Sequence, residues 1–144
     1  MARHLGTSLS FEFPRDWVDC TVVRYEAPRR AGIDGERSPG SVTLSHANFG
    51  DAVSIEQHVE RALEQLAARE GFVLREVSPA SVEGRPARLA RYATVEGGTP
   101  YEHRALFVPY PERKVAVLTL SAPRLELAQV EPLFDRMLAS ARLT

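Results

Sequence analysis

At 144 residues the chain is long enough for one domain with a substantial core, and its 44% hydrophobic and 26% charged content is that of an ordinary globular protein. Eighteen basic against nineteen acidic residues leave a net charge of -1, which removes any global electrostatic pull toward nucleic acid or an anionic membrane. The single cysteine, Cys20, excludes an intramolecular disulfide and fits a reducing compartment.

The first residues lack the apolar stretch of a signal peptide: Arg3 and His4 lead directly into the alternating run Ser8 to Phe13. The longest nearly uncharged run, Val115 to Pro123, is too short to span a bilayer, so a cytoplasmic protein is expected. Ser8 to Phe13 is predicted to be a strand that ends at Pro14, and Cys20 to Glu26 a second one. Trp17, between them, is expected to be a core anchor closing that pair. The segment 27–40 is rich in Gly, Pro and charge; its Arg29, Arg30 and Arg37 are mixed with Asp34 and Glu36, as in a solvated loop. Ser41 to Ala47 is predicted to be a third strand.

The first helix is predicted from an N-cap at Ser54, with Gln57 at capping-box spacing. Ile55, Val59, Ala62, Leu63 and Leu66 fall on one stripe, and Gly71 is expected as a left-handed C-cap. Four strands follow, at Phe72 to Val82, Pro86 to Glu96, Tyr101 to Tyr110 and Lys114 to Ser121. Glu83-Gly84, Gly97-Gly98 and Pro111-Glu112-Arg113 supply turn chemistry for an antiparallel meander. A C-terminal helix carries Val130, Leu133, Phe134, Met137, Leu138 and Ala141 on its apolar side. Pro132 sets that helix to begin near Glu131, or to kink there after a short first turn from Leu125. The order of three strands, helix, four strands, helix predicts one α+β domain over residues 1–144, an antiparallel sheet of six to seven strands packed with two helices.

A sheet with one wet face alternates apolar and polar residues, and two of these strands do not. Val115, Val117 and Thr119 oppose Ala116, Leu118 and Leu120, while Ala105 and Phe107 oppose Leu106 and Val108. Something must cover both faces. Either one helix packs on each side, or the helices leave part of one face open to a second subunit or a client.

No constellation for catalysis stands out. The histidines His4, His46, His58 and His103 show no metal-ligand spacing, and no metal or other cofactor is expected. His58 reads as a packing or rim residue of the first helix. Glu102 and His103 are adjacent on a strand and point to opposite faces, so they cannot cooperate. An enzyme would need distant groups such as Cys20, His46 and Asp51 to converge, and a binding module is the expectation instead.

The motifs add a resemblance. Phe11-Glu12-Phe13-Pro14-Arg15-Asp16-Trp17-Val18-Asp19 resembles the F-x-x-P-x-x-W-x-D opening of the DcrB-related bacterial domain family. Gly71-Phe72 and Gly84-Arg85-Pro86-Ala87 are similar to its G-F and G-R-P-A segments. Val115 to Pro123 resembles its V-x-x-L-T-x-x-A-P strand, and Phe134, Leu138 and Ser140 its F-D-x-x-L-x-S tail. The resemblance implies a PsbP-like fold. It further implies a likeness to the Eag-type chaperones of the bacterial type VI secretion system, cytoplasmic homodimers that shield the N-terminal transmembrane segments of an effector. The expected partner is then the apolar N-terminal helices of a secreted effector, with neither nucleic acid binding nor stable membrane insertion. The candidate contact residues are Val22, Val23, Tyr25, Leu106, Val108, Leu118 and Leu120, a pool from which only one sheet face can serve. A stand-alone ligand-binding or scaffold domain of the same fold is the alternative.

Overall fold

The structure, a computed structural model, describes residues 2–5, 10–17, 20–28, 40–111 and 113–143. An N-terminal hairpin pairs β1 (Ala2–Leu5) with β2 (Ser10–Phe13) as a separate two-stranded sheet. Then come β3 (Val23–Glu26), β4 (Ser41–Asn48), α1 (Ile55–Leu66), β5 (Val73–Val82), β6 (Arg85–Glu96), β7 (Thr99–Tyr110), β8 (Lys114–Pro123) and α2 (Leu127–Ser140). The principal sheet is six-stranded and antiparallel, in the order β3-β4-β8-β7-β6-β5. The first predicted strand is therefore outside that sheet, paired instead with β1, which the sequence reading did not include. The basic cluster Arg29, Arg30 and Arg37 lies outside the described residues.

The meander closes through turns whose chemistry dictates them. Glu83 and Gly84 have φ of 51° and 80°, and Gly97 and Gly98 have 57° and 80°. Positive φ at both central residues makes type I′ turns, whose twist matches the flanking strands. These short links give β5 to β8 their sequential pairing. β4 then adds to β8 over its whole length, from Ser41 opposite Ser121 to Asn48 opposite Lys114.

Ser54 caps α1, its hydroxyl accepting from the Gln57 amide at 3.1 Å, while the Gln57 side chain accepts from the Val53 amide at 2.7 Å. The helix ends at Leu66 with Ala67 as its C-cap, four residues before the expected Gly71. The chain turns on through Arg69 and Glu70, whose carbonyl accepts from the Val95 amide at 2.9 Å. Gly71, at φ +66°, serves the entry to β5 instead, where a Cβ would overlap Val95. At the other end, a 3-10 turn over Arg124–Glu126 precedes α2. The C-terminal helix then runs from Leu127 with Pro132 inside it, so its start lies before Glu131.

The two helices lie on opposite faces of the sheet. Val59 of α1, with Ala62, Leu63 and Leu66, packs against Ala90, Tyr92, Ala105 and Phe107. Val130 and Phe134 of α2 pack against Leu120 and Ala122, and Leu138 with Ala141 reaches Leu106, Val108 and Val82. This explains the doubly apolar strands: Val115 and Val117 of β8 serve the α1 side, and Leu118, Leu120 and Ala122 the α2 side. Arg104, mostly buried on β7, steers α2 onto its face by pairing with Glu131 and with Asp135, the latter at 2.8 Å. Neither helix spans all six strands, and that shortfall creates the two surfaces considered next.

Candidate functional site

Register decides which of the predicted contact residues share a face. Val23 lies opposite Leu44, Leu44 opposite Leu118, and Leu118 opposite Leu106. Tyr25 lies opposite Val42, and Val42 opposite Leu120. Cross-strand partners point the same way. Val23, Tyr25, Leu106, Val108, Leu118 and Leu120 therefore all belong to the face on which α2 sits. Val22 precedes β3 and is exposed. Leu106, Val108 and Leu120 are buried in the core beneath α2, and Leu118 is half-buried. Of the predicted residues on this face, the two at its β3 edge stay open, Val23 at 39% and Tyr25 at 70% exposed.

Beside this edge is a hollow of about 400 Å³ lined by Trp17, Cys20, His46, Asn48, Tyr110 and Lys114. Trp17 is 67% exposed, so it is a wall of the hollow and not the core anchor expected. It lies between the separate β1-β2 hairpin and the edge strand β3 in the chain. The Tyr110 hydroxyl meets His46 Nδ1 at 3.2 Å. Cys20 and His46 line this hollow together, but Asp51 is engaged by Arg61, whose guanidinium holds its carboxyl below the usual carboxylate range. Among the described residues no group of His, Cys, Asp and Glu could hold a metal ion.

The α1 face carries a larger cleft, of about 730 Å³. It opens because α1 sits over β6, β7 and the Val115–Val117 end of β8 and stops short of Thr119 and Ser121, β4 and β3. Its floor is polar: Ser41 lies opposite Ser121 and Thr43 opposite Thr119, so two hydroxyl pairs sit side by side. At its inner end His103, 6% exposed, stacks on Tyr92 with centroids 4.8 Å apart and planes 24° apart. Its Nε2 is 2.7 Å from the Thr94 hydroxyl and its Nδ1 2.7 Å from that of Ser121. A neutral imidazole offers one donor and one acceptor, and these two hydroxyls satisfy both. Burial depresses the His103 pKa and so keeps the ring neutral. Glu102, its neighbour, is on the other face and pairs there with Arg75 and Arg124.

Sequence reasoning did not find this cluster. Thr94, His103 and Ser121 come from three strands and have no shared spacing; strand register alone unites them. His58 matches its expected packing role, stacked on Phe49 at 5.8 Å and edge-on to Phe107 at 6.2 Å. Its pKa too is lowered, first by burial and then by the nearby Arg61 charge.

No family model matches the chain, and no curated protein matches it either. Solved structures do. Protein PA94 of Pseudomonas aeruginosa, a protein of unknown function named as a candidate regulator, superposes with a TM-score of 0.80 at 21% identity, over 100% of this chain and 97% of that one. The PsbP protein of the cyanobacterium Synechocystis sp. PCC 6803 matches with a TM-score of 0.55 at 12% identity, over 96% of this chain and 89% of its own. The Ran-binding protein Mog1p of Saccharomyces cerevisiae matches at 0.53 and 13%, over 83% of this chain and 70% of its own. At these identities the likeness is one of fold: the chain has the PsbP-like fold. Among the described residues, no helix is long and apolar enough to cross a membrane.

Proposed function

We propose that this protein is a non-enzymatic binding module that shields an apolar helix of a partner protein. The observation that supports it most is the exposed β3 edge of this apolar face, where Val23 extends the row of Leu44, Leu118 and Leu106, and Tyr25 that of Val42 and Leu120, past the reach of α2. Exposed large apolar side chains in a contiguous row mark an interaction surface. The motif resemblance narrows the partner to the N-terminal transmembrane helices of a type VI secretion effector, held in the cytoplasm by a homodimer of Eag type. A spanning helix presents about 20 apolar residues. One open edge covers a single side of such a helix, and a second copy of the chain would supply the other.

The test is co-purification with a tagged effector N-terminal region, repeated with Val23→Asp and Tyr25→Asp. Both residues are exposed, so these changes leave the core intact while a charge in the contact row should abolish capture. Capture at wild-type level by the double variant, with its circular dichroism unchanged, rejects the assignment. Sedimentation of the free protein checks the dimer.

A further inference from the structure

The cleft between α1 and the sheet lies on the face opposite the proposed client surface, and that reading leaves it unused. Its floor is unusual for a sheet face roofed by a helix. Where α1 contacts the sheet the floor residues are Ala90, Ala105 and Phe107, but toward β4 the same face turns to hydroxyls at Ser41, Thr43, Thr119 and Ser121. Of these four hydroxyls, Ser121's is the one that meets another side chain among the described residues, that of His103. The remaining hydroxyls retain donors and acceptors directed into the cleft.

The walls narrow the choice of ligand. Tyr101, His103 and Tyr92 form a stack of three rings, with Tyr101 and His103 6.2 Å apart and 17° from parallel. Phe49 and His58 stand on the α1 side. Three cations reach the rim from separate segments, Arg24 of β3, Arg61 of α1 and Arg69 of the following turn, against one lining carboxylate, Glu96. Arg24 pairs with Glu26 and Arg61 with Asp51, yet a guanidinium has five N–H donors and one carboxylate leaves several available. The volume of about 730 Å³ falls within the range of about 300–1,000 Å³ typical of small-molecule sites.

From this geometry we infer that the cleft is a binding site for a small organic anion bearing an aromatic ring. The ring lies against the aromatic walls and the anionic group meets the hydroxyl floor and the arginine rim. Arg69 is the cation most open to such a ligand, and Thr43 and Thr119 read its oxygen atoms.

Titration of the full chain with benzoate, phenyl phosphate and the neutral benzamide, followed by amide chemical shifts, tests the site. The expected result is saturable shifts on β4, β8 and the end of α1 for both anions, with benzamide at least about tenfold weaker. Arg69→Gln and the near-isosteric pair Thr43→Val with Thr119→Val should each weaken the anions about tenfold and leave the spectrum otherwise folded. Absence of saturable binding by either anion overturns the inference. So does benzamide binding as tightly as benzoate, or anion binding unchanged in both variants. Client capture is read through other residues on the opposite face, so either proposal can fail while the other stands.

Discussion

Removing the Phe134 ring tests whether α2 truly closes the apolar face it sits on. Phe134 is 3% exposed and packs on Leu120, Ala122 and Val130, with its ring tip 3.6 Å from the position a Cβ would take at Gly40. Phe134→Ala withdraws a buried ring and leaves a cavity walled by a sheet and a helix that relax only in part, at a cost of about 4 kcal/mol. The ion pairs of Arg104 cannot offset this, because Glu131 and Asp135 are 40% and 66% exposed and solvent screens them. Against a typical stability of about 5–15 kcal/mol the variant still folds, melting about 12 °C lower for a chain of this size. Urea unfolding followed by circular dichroism measures the loss directly, with Phe134→Leu as a milder companion expected to lose about 1 kcal/mol. A loss below about 1.5 kcal/mol for Phe134→Ala, with an unchanged m-value, would refute the seating of α2. The face assignment of Leu106, Val108 and Leu120 would then have to be redrawn.

The buried histidine makes stability depend on pH. Its native pKa is lowered by burial, so on acidification the unfolded chain takes up a proton that the native chain resists. The contribution of His103 is complete above its ordinary value of about 6.5 and is lost as pH falls from there toward the depressed native value. Denaturation midpoints between pH 7 and 5 should fall for the wild type and fall less steeply for His103→Gln; equal slopes would remove His103 as the cause. Gly71→Ala combines a left-handed backbone with an overlap on Val95, and should cost about 2–4 kcal/mol in the same assay. Adding Val95→Ala should relieve only the overlap, so a double variant no better than Gly71→Ala would mean that the overlap costs nothing.

Local chemistry carried much of the fold into the sequence. Ser54 with Gln57 marks the start of α1, and Glu83-Gly84 and Gly97-Gly98 mark turns that leave β5, β6 and β7 no pairing but the sequential one. The lack of apolar and polar alternation along β7 and β8 showed that both faces need cover. The misplaced features were those settled by distant neighbours. Gly71 is not the helix cap because α1 ends four residues earlier at Ala67, and Trp17, on the segment that follows the β1-β2 hairpin, is exposed.

The candidate sites divide in the same way. The apolar contact pool could be listed from the strands, but not which members stay exposed, because α2 docks through Val130, Phe134 and Leu138 and through Arg104, contacts that have no local signature. The hydroxyl cleft and the Thr94-His103-Ser121 cluster were illegible, since each residue reads singly as an ordinary strand position. The hydroxyl floor exists because β4 crosses back to pair with β8, and the cluster because β6, β7 and β8 pair in one register; register sets which side chains share a face. Composition and turn chemistry determined the kind of protein and the strands it would form. The tertiary structure alone decided which face is covered, which remains open and which polar groups meet there, because those outcomes depend on contacts between segments far apart in the chain.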